Sequence, residues 1–117
     1  MNQKKATVKR IPPAVRQQAD EIVERFNQDV LSARGNARYV ARFKGPYLFL
    51  DRQDWDNRKP SPICRLEWTG DMIAWEFAIY KYSKNSYDPD EWMFPGYDHF
   101  DGTIEGAMNA GLEAYEP

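Results

Sequence analysis

The stretch Arg38-Tyr39-Val40-Ala41-Arg42-Phe43-Lys44-Gly45-Pro46-Tyr47-Leu48-Phe49-Leu50-Asp51 decides how this chain folds. Apolar and polar residues alternate on either side of Lys44-Gly45, the pattern of two half-buried strands joined by a two-residue turn. That turn sets 43 opposite 46, 41 opposite 48 and 39 opposite 50. One face then holds Tyr39, Ala41, Phe43, Leu48 and Leu50. The other pairs Arg42 with Tyr47, Val40 with Phe49, and Arg38 with Asp51, the last an opposite-charge pair.

The same logic repeats downstream. Residues 52–62 are polar, contain two prolines and read as a loop that leaves Trp55 near a sheet end. Ile63 to Trp68 and Ile73 to Tyr82 read as a second hairpin closed by Thr69-Gly70-Asp71-Met72. Its register sets 68 opposite 73, 66 opposite 75 and 64 opposite 77. Cys64, Leu66, Trp68, Ile73, Trp75, Phe77 and Ile79 share a face, and Arg65 meets Glu76 on the other. Two such hairpins predict a four-stranded antiparallel sheet.

Helical periods flank the strands. Val15, Ala19, Ile22, Val23, Phe26 and Val30 form a stripe of 3.6-residue period after Pro12-Pro13, which suits a helix entry. Arg34-Gly35 suits its end, so a helix is expected over about 13–33. Ile104, Ala107, Met108, Leu112 and Tyr115 predict a second helix over about 102–115, with Asp101 as its N-cap. Gly102, Gly106 and Gly111 weaken this helix by about 1 kcal/mol per interior glycine, which points to close approach of the helix to the sheet. The expected fold is α+β: a two-layer sandwich with both helices on the face bearing Phe43, Leu48, Leu66, Trp75 and Phe77. The order helix, antiparallel meander, helix resembles the frataxin-like and double-stranded-RNA-binding layouts. That resemblance is one of layout and implies no activity.

Bulk properties narrow the rest. At 117 residues, with 42% hydrophobic and 15% aromatic content, the chain suits one core. Residues 1–11 read as a flexible basic arm with Lys4, Lys5, Lys9 and Arg10, and residues 12–117 as a single domain. No apolar run reaches the ~20 residues of a membrane span. The single cysteine excludes an internal disulfide and fits a reducing, cytoplasmic setting. Net charge is −2, which argues against nucleic acid as the main partner. The charge is nevertheless uneven: residues 1–60 carry 13 Lys/Arg and 7 Asp/Glu, residues 61–117 carry 3 and 11.

No motif fixes a reaction or a cofactor. Cys64 on a buried strand face is expected to be a small hydrophobe, not a nucleophile paired with the lone His99. Asp88, Asp90, Glu91, Asp98 and His99 offer oxygen and nitrogen donors to a divalent cation, but their spacing matches neither an EF-hand loop nor HExxH. Residues 83–101 show neither period and carry Tyr87, Trp92, Phe94, Tyr97 and Phe100. A segment so long and aromatic is expected either to pack on its own domain or to rim a binding cleft.

The second sheet face, with Val40, Tyr47, Phe49, Ile63, Ala78, Tyr80 and Tyr82, is too apolar for full solvation. Either the 83–100 loop folds back over it or a partner does, whether another protein or a second copy of the chain. The expected function is a non-catalytic binding module that uses this face and the loop, through Arg38, Arg42, Tyr47, Phe49, Tyr80, Tyr82, Trp92 and Tyr97. Two alternatives follow from the same residues. One is single-stranded nucleic-acid binding, with bases on the rings and phosphates on Arg38, Arg42 and Arg65. The other is a metal-dependent hydrolase built on the acidic loop.

Overall fold

The computed structural model describes residues 10–55 and 59–117. The expected basic arm lies almost wholly outside these residues. Helix α1 spans Pro13–Asp29 and is followed by a 3-10 turn at Leu31–Ala33. Five strands follow: β1 Arg38–Lys44, β2 Tyr47–Gln53, β3 Ser61–Glu67, β4 Glu76–Lys81 and β5 Ser86–Asp88. Helix α2, Ile104–Ala114, closes the chain after a 3-10 turn at Tyr97–His99. The strands form one antiparallel meander in chain order. The α+β class is as expected, with five strands instead of four. The fifth is only three residues long and is bounded by turn residues, so it carries too little alternation to be read from the sequence.

Both hairpins keep the expected faces but slide by two residues. Phe43 pairs with Leu48 and Lys44 with Tyr47, so the turn is Gly45-Pro46. Gly45 has a φ of 58°, a conformation that a glycine adopts without the Cβ penalty Lys44 would meet. Pro46 then fits the next position with its fixed φ. In the second hairpin Cys64 pairs with Ile79 and Leu66 with Phe77. A slip of two leaves every side chain on its original face, whereas a slip of one would invert them all. The expected charge pairs do not form. Val40, not Arg38, stands opposite Asp51, and Ala78, not Glu76, stands opposite Arg65. Glu67 instead faces Glu76.

One residue breaks the alternation. Leu50 pairs with Cys64 but Asp51 pairs with Pro62, so Ile63 is the extra residue of a β-bulge. Ile63 therefore turns to the helices and joins the core, correcting its expected place on the second face. Ile73 leaves the core face as well: it sits in the turn between β3 and β4 and is exposed. Trp68 and Trp75 pack together with ring centroids 4.9 Å apart.

The core lies between the sheet and the two helices. Ala19, Val23 and Phe26 of α1 meet Tyr39, Leu48, Leu50, Leu66 and Ile79, with Ile104, Ala107, Met108 and Leu112 of α2 beside them. Gly111 explains how α2 comes so close. A Cβ there would lie 2.5 Å from the Tyr39 hydroxyl and 2.6 Å from Ile63 Cγ2. The N-cap is Thr103, not Asp101: its Oγ1 accepts from Gly106 N at 3.0 Å. Asp101 supports it by accepting from Thr103 N at 3.1 Å.

Arg52, expected in a loop, is the second-last residue of β2 and is buried. Its Nε donates to Asp54 Oδ1 at 2.9 Å, and its other nitrogens donate to the carbonyls of Gly111 and Tyr115. The Gly111 carbonyl also accepts from Tyr115 N at 2.9 Å, and Tyr115 is the C-cap, so both carbonyls stand at the negative dipole end of α2.

Candidate functional site

The open sheet face is an aromatic and arginine layer. Tyr47 and Phe49 of β2, Tyr80 of β4 and Tyr87 of β5 lie in one chain of ring contacts. The centroid separations are 5.9 Å for Tyr47–Phe49, 5.4 Å for Phe49–Tyr87 and 5.0 Å for Tyr80–Tyr87. Tyr87, expected in an irregular loop, reaches across small, buried Ala78 to meet Phe49. The rings meet at interplanar angles of 51° to 74°, so edges point at faces. Guanidinium groups cover what remains. Arg42 lies 4.7 Å over Phe49, and Arg65 lies 4.6 Å over Tyr47 and 5.4 Å from Tyr87.

Charge on this face is largely matched. Arg42 Nε donates to Asp51 Oδ2 at 2.6 Å, and its Nη2 donates to Asp51 Oδ1 at 3.2 Å. The Asp51 carboxylate holds the Arg42 guanidinium above its ordinary pKa, with burial opposing. Burial beneath this layer pushes the Tyr87 phenol up to about 12. Arg38 does not join the layer but pairs with Glu24 of α1 at 3.5 Å. Tyr82 sits past the end of β4, its ring 4.8 Å from Tyr80 and 5.4 Å from Tyr115, with its hydroxyl donating to Pro62 O.

The segment after β5 does not fold over this face. Phe94 and Phe100 pack instead on Phe77, at 5.9 Å and 4.9 Å, on the helix side of the sheet. Gly96, with a φ of 99°, presses against α2: a Cβ there would lie 2.7 Å from Ala110 O. With Phe94 turned inward, its neighbours point out. Trp92 is 61% exposed, Met93 74% and Tyr97 41%. They border a shallow hollow of about 490 Å³. Of these, Met93 was not singled out from the sequence, since a lone methionine in an aromatic loop reads as core filler.

Asp88, Glu91 and His99 of the segment are engaged separately. Asp88 pairs with Lys84 at 3.0 Å, Glu91 with Lys81 at 3.1 Å, and His99 Nε2 with Glu113 Oε1 at 2.8 Å. Asp88 also accepts from Asp90 N, and Glu91 from Met93 N, both at 3.0 Å. Lys84, acting through its hydrogen bond, lowers the Asp88 pKa. Among the described residues, no three or more His, Cys, Asp or Glu side chains are grouped to hold a metal ion. The structure therefore scatters Asp88, Asp90, Glu91, Asp98 and His99 instead of gathering them.

Cys64 is fully buried, and burial pushes its thiol pKa up, the opposite of what a nucleophile needs. His99 is occupied with Glu113 beside α2. Trp55 is 80% exposed, so its ring is not buried as a cap over the sheet end. Among the described residues, no helix is long and apolar enough to cross a membrane. The chain matches no family model, no curated protein and no solved structure.

Proposed function

We propose that the chain is a non-catalytic binding module whose partner is a protein, engaged mainly through Trp92, Met93 and Tyr97. The observation that carries this reading is the outward set of three large apolar side chains on a segment held firmly from behind. Phe94 is stacked on Phe77, Gly96 is seated on α2, and Lys81–Glu91 ties the segment to β4. Aromatic and methionine side chains on a fixed frame lose little entropy on docking and dominate the energy of many interfaces. The open sheet face, through Arg42, Tyr47, Phe49 and Tyr80, is the second contact area of the same reading. A second copy of the chain, in a cytoplasmic setting, is one partner that fits it.

The nucleic-acid alternative draws less support from the geometry. Base stacking needs ring faces, and here guanidinium groups and neighbouring ring edges occupy them. Asp51, Glu67 and Glu76 add negative charge to the same face. The hydrolase alternative has no gathered ligand set to stand on.

The test is a photo-crosslinking residue at position 93, read beside sedimentation velocity of the purified chain. Support is an adduct of defined mass, to itself or to another protein, that is lost in both Trp92→Ala and Tyr97→Ala. A monomer that forms no adduct, or one indifferent to both substitutions, overturns the reading.

A further inference from the structure

The outer edge of β1 is closed at both ends and open in the middle. At one end the Asn27 side chain takes both backbone groups of Tyr39: Tyr39 N donates to Asn27 Oδ1 at 2.8 Å, and Asn27 Nδ2 donates to Tyr39 O at 3.0 Å. At the other end Ile11 N donates to Gly45 O at 3.0 Å. The groups of Tyr39 thus point away from β2. The ladder's alternation makes Ala41 and Phe43 point the same way. Among the described residues nothing pairs with their N–H and C=O groups. A strand edge left open in this way is a template for a further strand.

A groove of about 400 Å³ runs between this edge and α1. Its helical wall carries Asp20, Glu21 and Glu24. Glu24 is engaged by Arg38, and Glu21 accepts from Gln17 at 3.5 Å, which leaves Asp20 without a cationic partner among the described residues. On the other side of the edge stand Arg42 and Lys44. An added strand would send alternate side chains to these two sides.

We propose that the edge of β1 at Ala41–Phe43 takes up an extended peptide as an added strand, basic on the side that faces α1. Main-chain hydrogen bonds to Ala41 and Phe43 provide the seat, and the α1 carboxylates select Lys or Arg at alternate positions. Arg42 and Lys44 disfavour the same cations on the opposite side, which fixes the register of the alternation. This surface is separate from the one around Trp92, so the failure of either reading leaves the other standing.

The probe is the peptide acetyl-Thr-Lys-Thr-Lys-Thr-Lys-Thr-amide, titrated into the full chain and followed by backbone amide NMR and hydrogen exchange. The expected result is shifts centred on Ala41 and Phe43, with slowed exchange at those two amides. Affinity should drop at least tenfold in Asp20→Lys/Glu21→Lys, two exposed helix positions that leave the fold intact. Ala41→Pro should also abolish binding, since proline removes an outward N–H while sparing the bonds to β2. Equal binding of the peptide with Glu in place of Lys overturns the proposal. So does protection of Ala41 and Phe43 in the free chain that disappears when Lys4, Lys5 and Lys9 are changed to Ser, which would assign the edge to the chain's own arm. A dimer that Ala41→Pro dissociates overturns it equally, in favour of a second copy.

Discussion

The guanidinium of Arg52 donates to the main-chain carbonyl of Tyr115, joining the end of β2 to the end of α2 from a position only 2% exposed. A charge so deeply placed is tolerable because each of its neighbours offers something. Asp54 supplies a carboxylate, Gly111 and Tyr115 supply helix-end carbonyls, and the Tyr39 ring lies 5.7 Å beneath. Tyr39 in turn donates its hydroxyl to Met108 O at 2.7 Å. The two side chains together anchor the last two turns of α2 to the sheet.

Removing the cation should therefore cost far more than a surface charge. Arg52→Ala deprives the partly buried Asp54 and the Tyr115 carbonyl of their partner. Breaking a fully buried pair costs about 3–5 kcal/mol, and the loss here should fall towards the lower end because Asp54 reaches solvent. Arg52→Met, which refills the volume but not the hydrogen bonds, should recover part of that loss. Urea unfolding of the three proteins checks the order, and near wild-type stability of Arg52→Ala would refute the anchoring role.

High pH should unfold the protein steeply. Burial raises the pKa of Cys64, Tyr39 and Tyr87 above the ordinary values of 9.0 for the thiol and 10.0 for the phenols. These groups stay protonated in the native state while the unfolded chain loses its protons. Stability is then complete below about pH 9 and declines as pH rises from there towards 12, because the native state binds more protons. Tyr87→Phe should flatten the upper part of that decline. Thermal melts from pH 8 to 11 provide the measurement.

Gly111→Ala should destabilise, against the usual helix propensity. Alanine gains about 1 kcal/mol over glycine inside a helix. Here the new methyl meets the Tyr39 hydroxyl at 2.5 Å, held in place by its bond to Met108 O, and the buried Ile63 at 2.6 Å. Overpacking of this kind costs about 1–3 kcal/mol, so the net change is expected to be a loss. A rise in Tm would mean that α2 can move away from the sheet freely.

The facing carboxylates Glu67 and Glu76 invite the opposite outcome. Like charges directly across an antiparallel pair are unfavourable, and an opposite-charge pair contributes about 0.2–1 kcal/mol. Glu76→Lys is expected to stabilise by roughly 0.5 kcal/mol at low salt, with the gain shrinking at 1 M salt. A salt-independent change would assign it to something other than charge.

How the sequence carried these features varies by kind. Faces were legible from Arg38 to Tyr82 because side chains alternate with period two and the buried set is large. Register was not. Matching Arg38 to Asp51 and Arg65 to Glu76 favoured pairings two residues off, and weak surface electrostatics gave way to the turn geometry of Gly45-Pro46. The bulge at Ile63 and the burial of Arg52 depend on where α2 comes to rest, which no local pattern encodes. For the candidate surface, Trp92 and Tyr97 were readable as aromatics in a long loop. Their outward direction follows from Phe94 choosing Phe77, a contact between residues far apart in the chain.

The doubled step at Ile63 and Cys64 has a further effect on how β3 can change. Both side chains enter the core from adjacent positions, so the phase of the strand differs on its two sides. Removing Ile63 would restore a plain ladder, but it would also withdraw the methyl group that abuts Gly111. The sheet would remain well paired while α2 lost its contact at Gly111 but kept those of Tyr39 and Arg52. A single-codon deletion there should therefore yield a chain with strands formed and its last helix loosened against them.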